Sequence, residues 1–147
     1  MSKIYTVSTR INKPIAEVFA AVVEREQLQK YFTDSADSDI KAGAKVTWNW
    51  TDWGDHPVVV DVFEENARIE LLLNSKHWNK TVDDDYDVRV TMVFEEAKAG
   101  GTVVSISEEG WKTDSPGYKA SHENCGGWMH MVLCLKAWVE HGIDLRQ

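Results

Sequence analysis

Apolar and polar residues alternate along most of this chain, which is the pattern of strands with one face turned to a core. Val46, Trp48 and Trp50 share one face of such a strand. The predicted strands are residues 4–11, 46–50, 58–64, 68–73, 86–95 and 102–111. Because the strands after the first 40 residues follow one another through hairpins with no helix between them, we expect an antiparallel sheet.

Three segments show helical spacing instead. Apolar residues recur at i, i+3, i+4, i+7 and i+8 from Ile15 to Val23, directly after Pro14, and predict a first short helix. We expect a second short helix over residues 25–31. The last apolar stripe predicts a long helix over residues 116–141, which Gly142 ends.

These elements together predict an α+β fold. Two short helices follow the first strand, and a curved antiparallel sheet wraps around the long C-terminal helix. The sheet has six strands, or seven if residues 36–40 add a short edge strand. We expect residues 1–147 to form one domain.

Composition narrows the classes of partner. The net charge is −8 and the basic residues are scattered, so nucleic acid and anionic membrane surfaces are poor partners. No apolar run approaches the roughly 18 residues that a membrane span requires, and the first residues lack a signal-peptide core. Cys125 and Cys134 lie about 13 Å apart along one predicted helix, too far to pair. We therefore expect a cytoplasmic protein.

Tryptophan is the most informative residue type, with seven copies in 147 residues. Each indole is bulky and also needs a partner for its N–H, which makes a solid small core difficult to build. Trp48, Trp50, Trp111 and Trp128 fall on predicted inward positions and are candidates to line a cavity. The alternative is ordinary core packing.

Glu108 is the most pointed polar candidate. Strand alternation places it on the face of Val104 and Ile106, so its carboxylate should look toward the interior. A buried charge needs partners or a raised pKa, which suits a ligand anchor or an acid–base group. Alternatively, Glu108 is hydrated at a cavity mouth or displaced by a bulge near Gly110.

The order and spacing of several phrases resemble the START-like helix-grip superfamily (SRPBCC), in the branch named after the activator of heat-shock protein 90 ATPase. The phrases are residues 11–19 (INKPIAEVF), Gly43 with Val46 and Trp48, residues 101–106 (GTVVSI), Gly110-Trp111, and an ending with Gly127-Trp128, Val132, Leu135-Lys136 and Trp138-Val139. The resemblance covers nearly the whole chain. It implies a helix-grip fold with a deep cavity between sheet and terminal helix. Members bind lipids, sterols or polyketides, and a minority are enzymes.

We therefore predict that the chain binds a small hydrophobic or aromatic molecule, lipid-like or polyketide-like, and is not an enzyme. The predicted ligand-binding residues are Trp48, Trp50, Glu108, Trp111, Asn124, Trp128 and Met131, with Tyr31 and Phe32 as a lid. The alternatives are a cyclase or aromatase-type enzyme and a co-chaperone-like regulator that works through its surface. A homodimer and a chaperone are further candidate partners.

We predict no catalytic residue, no metal and no cofactor. The five histidines lack the spacing of a metal site, and no nucleophile elbow, phosphate loop or dinucleotide fingerprint is present. His122 and Cys125 are neighbours on the predicted helix, which is the spacing of a thiolate pair. A thiol that only packs the helix is the favoured interpretation.

Overall fold

The computed structural model describes residues 2–147 and contains one seven-stranded antiparallel sheet. Its strands are β1 (Tyr5–Ile11), β2 (Ser35–Ala36), β3 (Lys45–Trp50), β4 (Gly54–Glu64), β5 (Arg68–Asn74), β6 (Asp87–Glu96) and β7 (Thr102–Glu109). Its helices are α1 (Ile15–Val23), α2 (Arg25–Leu28), α3 (Ser75–Trp78) and α4 (Ser115–His141). The predicted α+β helix-grip architecture is confirmed.

The sheet order is β1-β7-β6-β5-β4-β3-β2, so every strand from β2 to β7 pairs with its neighbour in the chain. Tight turns make this possible: Gly100 and Gly101 join β6 to β7 with φ of 90° and 78°, a region that glycine adopts without strain. The register of β4 against β5 shifts between Val60 and Val62, and such bulges bend a sheet.

The long helix α4 has a defined start and end. The Asp114 side chain accepts a hydrogen bond from the backbone N–H of Gly117 at 2.9 Å, which caps the first turn. Gly142 ends the helix in the left-handed conformation, with φ of 67°. The predicted bounds of this helix are therefore confirmed to within a residue.

The position of α4 determines where the interior is open. Its second half buries Met131, Val132 and Leu135, and the helix contacts β1 and β7 at one edge of the sheet. Toward the far edge, β3 and β4 contribute Trp50 and His56 to a gap that the first half of the helix also lines. Residues of α3 and of the turn after α2 complete the lining of this gap.

Some predicted bounds differ from the structure. Helix α2 ends at Leu28, and turns continue to residue 32 in place of the predicted helix to 31. Strand β4 begins at Gly54, four residues earlier than predicted, and β7 ends at Glu109. The optional edge strand exists at Ser35–Ala36. Helix α3 was not predicted, because four residues are too few to show helical spacing.

Candidate functional site

The gap between α4 and the far edge of the sheet is a cavity of about 710 Å³. Nine of its lining residues are exposed and form its opening, which we call the mouth: Asp34, Asp52, Trp53, His77, Lys80, Glu123, Gly127, His130 and Arg146. Deeper lining residues are half-buried or buried: Tyr31, Phe32, Trp50, His56, Trp78, Asn79, Asn124 and Trp128. The cavity thus runs from a charged rim to an aromatic interior.

Four aromatic side chains, Phe32, Trp50, Trp78 and Trp128, form what we call the aromatic wall. Trp78 and Trp128 stack with ring centroids 5.8 Å apart and 22° between their planes. Phe32 meets Trp50 edge to face at 5.0 Å and lies 5.8 Å from Trp128. The four come from α3, α4, β3 and the turn after α2, so they are joined only in the folded chain.

The indole N–H groups of the aromatic wall already have protein acceptors. Trp50 Nε1 donates to the Phe32 carbonyl at 2.7 Å, and Trp78 Nε1 donates to the Pro57 carbonyl at 3.2 Å. Trp128 Nε1 donates to Glu108 Oε2 at 2.8 Å. With these donors satisfied inside the protein, what the indoles offer a guest is their apolar faces and edges.

Glu108 lies behind this wall and is fully buried. Its Oε1 accepts from Trp111 Nε1 at 2.7 Å, and its Oε2 accepts from Asn124 Nδ2 at 2.9 Å as well as from Trp128. The predicted inward direction and the need for partners are both confirmed. Burial raises the pKa of Glu108, although these N–H donors and the nearby Tyr5 hydroxyl favour the ionised form.

Tyr5 faces the same carboxylate from β1. Burial and the negative charge of Glu108 raise the pKa of Tyr5, so the phenol stays protonated. Among residues 2–147 its buried hydroxyl has no partner with acceptable hydrogen-bond geometry, Glu108 included. The interaction of Tyr5 with Glu108 is therefore electrostatic rather than a well-formed hydrogen bond.

His56 contributes a second polar group to the interior. Its ring meets Trp50 and Trp78 edge to face, with centroids 5.1 Å away in both cases. Nδ1 lies 3.0 Å from the Gly54 carbonyl, which can only accept, so Nδ1 carries the proton. Burial lowers the pKa of His56, which keeps the ring neutral.

The C-terminal segment closes one side of the cavity. Arg146 Nη1 donates to the carbonyls of Phe32 and Thr33 at 3.1 and 3.0 Å, and Nη2 donates to the Gln29 carbonyl at 3.0 Å. Asp144 holds the same guanidinium at 3.0 Å. The Phe32 carbonyl thus accepts hydrogen bonds from both Arg146 and Trp50, which fixes Phe32 in the aromatic wall.

The family model of the "Activator of Hsp90 ATPase homolog 1-like protein" matches residues 12–140, a span that includes α1, every strand from β2 to β7 and nearly all of α4. The chain belongs to this family. The family suspected from the sequence is therefore confirmed.

Several solved structures share the fold of this chain at low sequence identity. Protein SSP2350 from Staphylococcus saprophyticus has a TM-score of 0.78 and 24% identity, over 99% of this chain and 96% of that one. The Aha1 dimer from Colwellia psychrerythraea has a TM-score of 0.75 and 17% identity, over 97% and 98%. DynU16, of the dynemicin biosynthetic locus, has a TM-score of 0.76 and 17% identity, over 93% of this chain but 47% of DynU16. No curated protein matches in sequence.

In this member of the family, five of the nine predicted site residues line the cavity: Tyr31, Phe32, Trp50, Asn124 and Trp128. The other four, Trp48, Glu108, Trp111 and Met131, are buried behind the lining. Trp48 lies 6.4 Å from Trp50 and supports it from the core side. Glu108 does not line the cavity itself and affects it only through its hydrogen bonds with the lining residues Asn124 and Trp128.

Sequence reasoning missed Trp78, His56 and Arg146 as lining residues. The one available signal was Trp78, the fourth of the seven indoles, in the stretch before the Asp83-Asp84-Asp85 cluster. Its direction depends on the single turn of α3, which Asn74 caps by accepting from the N–H groups of Lys76 and His77.

The cysteines are not arranged for nucleophilic chemistry. Cys125 and Cys134 are both free, as predicted, and no hydrogen bond joins His122 to Cys125 within residues 2–147. The histidine contact falls on Cys134 instead, whose Sγ lies 3.4 Å from His130 Nε2. Burial raises the pKa of the Cys134 thiol, which disfavours the reactive thiolate.

Residues 2–147 contain no group of three or more His, Cys, Asp or Glu side chains placed to hold a metal ion. No helix within those residues is long and apolar enough to cross a membrane.

Proposed function

We propose that this protein binds a small, largely apolar aromatic molecule in the cavity beside α4. The observation that carries the proposal is the aromatic wall, whose rings line a space of about 710 Å³. Pockets for small molecules commonly measure roughly 300–1,000 Å³ and combine apolar walls with a few polar groups. Both the volume and the composition of this cavity fit that class.

The preference for a flat aromatic guest follows from the shape of the aromatic wall. Its rings meet edge to face or stacked, and the half-buried Trp78 stacks on the buried Trp128. Aromatic rings pair best in these offset and T-shaped geometries. A flat guest therefore gains more contact here than a flexible chain of the same size.

Native mass spectrometry of freshly purified protein tests the proposal. We expect a bound molecule of a few hundred daltons that absorbs in the near ultraviolet. Trp78→Leu should lose this molecule, whereas Trp138→Leu should keep it, because Trp138 is also a partly buried indole but does not line the cavity. Protein that carries no adduct and whose tryptophan fluorescence is unchanged by an aromatic panel would overturn the proposal.

A surface function with a chaperone is the second candidate, since the family is named for the activator of the Hsp90 ATPase. The Colwellia psychrerythraea relative is described as an Aha1 dimer, which favours a homodimer as the form to test. Sedimentation of the purified chain with and without an Hsp90 preparation distinguishes the candidates. A complex that forms equally well with Trp78→Leu would favour the surface function.

An enzyme of cyclase or aromatase type is the third candidate. The location of DynU16 in a biosynthetic locus makes an aromatic natural product a reasonable probe. Chemical change of a bound probe over time, lost in Trp78→Leu and in His56→Phe, would be required to favour catalysis over binding.

A further inference from the structure

The polar atoms inside the cavity are not balanced between donors and acceptors. On the lining residues that are half-buried or buried, each side-chain donor atom already faces a protein acceptor. Besides the three indoles, Tyr31 donates to the Ala21 carbonyl at 2.9 Å and Asn79 Nδ2 donates to Glu123 at 2.7 Å. The remaining donors, such as Lys80 Nζ, are at the exposed mouth, where water competes for them.

Two acceptors are left free. Asn124 Nδ2 is turned to Glu108 behind the lining, so Oδ1 is the amide atom that Asn124 has left for the cavity. Within residues 2–147 no donor reaches that oxygen. His56 carries its proton on Nδ1, against the Gly54 carbonyl, so the neutral ring keeps a lone pair on Nε2.

The buried carboxylate accounts for the orientation of Asn124. Both carboxyl oxygens of Glu108 accept hydrogen bonds from N–H groups here, so the NH₂ end of the Asn124 amide is the end that faces it. Glu108 Oε2 also accepts a hydrogen bond from Trp128 Nε1, so this one oxygen holds two lining side chains, Asn124 and Trp128, in place. Glu108 is in this sense a positioning residue, with no contact to the cavity of its own.

We infer that the ligand of this cavity carries hydrogen-bond donors, hydroxyl or N–H groups, on its aromatic frame, and that Asn124 Oδ1 and His56 Nε2 receive them. The inference rests on the proposed function and specifies its ligand class: a phenol or an aromatic amine rather than a hydrocarbon, ether or ketone. A ligand that offered only acceptors would leave both protein acceptors unpaired on burial, which is costly.

Calorimetric titration with two matched probes tests this inference. 2-Naphthol has one hydroxyl donor, and 2-methoxynaphthalene has the same ring system with the donor blocked. We expect the protein to prefer 2-naphthol about fivefold to tenfold, the range of one neutral hydrogen bond. Asn124→Leu should reduce this preference toward onefold, and so should His56→Phe if the hydroxyl is bound at that end. Asn49→Ala, an amide on β3 outside the cavity, should leave it unchanged.

The ratio of the two affinities distinguishes the donor inference from the proposed function. Equal binding of both probes by the unaltered protein, or a preference that survives in both variants, overturns the inference while the cavity still binds aromatics. Binding of neither probe overturns the proposed function as well. A purely structural effect of Asn124→Leu would weaken both probes alike, and should that variant fail to fold, His56→Phe provides the same comparison.

Discussion

Trp78 and Trp128 stack 5.8 Å apart with 22° between their planes, although 50 positions of sequence separate the single-turn helix α3 from the long helix α4. The pair joins the part of the cavity lining that α3 provides to the part that α4 provides. Each indole is also held in place by its N–H, through Pro57 for Trp78 and Glu108 for Trp128. A rigid apolar surface in a partly solvated cavity is the result.

Removing one member of that pair should weaken aromatic binding. We predict that Trp78→Leu lowers the affinity for 2-naphthol about tenfold, because both a stacking surface and its partner's alignment are lost. Calorimetric titration measures this. Trp138→Leu is the matched control, and an equal loss in both variants would show that the effect is not local to the cavity.

Glu108 should be among the most sensitive positions for stability. Glu108→Leu removes the acceptor of three side-chain N–H groups, those of Trp111, Asn124 and Trp128. We expect the free energy of unfolding to fall by about 3–5 kcal/mol, since each buried unpaired donor costs roughly 1–3 kcal/mol. Urea unfolding measures this. Glu109→Leu, one residue further along β7, should change it by less than about 1 kcal/mol, and equal losses in the two would contradict the role of Glu108.

The stability contributed by Glu108 should also depend on pH in a definite direction. Burial raises its pKa in the folded protein, so the native state holds the proton more tightly than the unfolded chain does. This contribution is fully present below the unfolded pKa and is lost as the pH rises through the native pKa. The difference in unfolding free energy between the wild type and Glu108→Gln should therefore be larger at about pH 4 than at about pH 8. A difference that is constant or grows with pH would contradict this.

Much of the fold could be predicted from the sequence because local patterns determine it. Strand alternation correctly predicts that the Glu108 side chain points inward, and Gly142 correctly predicts where α4 ends. The hydrogen-bond partners of Glu108 could not be predicted from the sequence, because they depend on how α4 packs against β7. The same holds for Trp48. Strand alternation correctly predicts that its side chain points inward, but its contacts with Trp78 and Trp128 depend on the complete tertiary structure.

The candidate site was predictable only in part. Trp50, Asn124 and Trp128 lie on regular elements, where periodicity indicates a direction for each side chain. Trp78 and His56 lie where no periodicity shows: Trp78 on the four-residue helix α3, and His56 in the first residues of β4, before the predicted start of that strand. Their positions follow from local capping and turn geometry, which amphipathic patterns do not encode.

The two adjacent glycines of α4 provide a test of the cavity with a built-in control. A methyl group at either Gly126 or Gly127 would meet no atom within 4 Å, but only Gly127 lines the cavity. Alanine at each position should raise the unfolding free energy by up to about 1 kcal/mol. Gly127→Leu should also reduce 2-naphthol binding about tenfold or more by occupying the space, whereas Gly126→Leu should not. Unaltered binding in Gly127→Leu would place the guest elsewhere.

The central claim is that an aromatic guest sits against the wall formed by Phe32, Trp50, Trp78 and Trp128. The most direct test is the ¹H–¹⁵N spectrum of the seven indole N–H groups, recorded during titration with 2-naphthol. The account predicts saturable shifts of the Trp50, Trp78 and Trp128 signals, with those of Trp111 and Trp138 stationary. Seven unmoved signals, or movement of the exposed Trp53 alone, would contradict it.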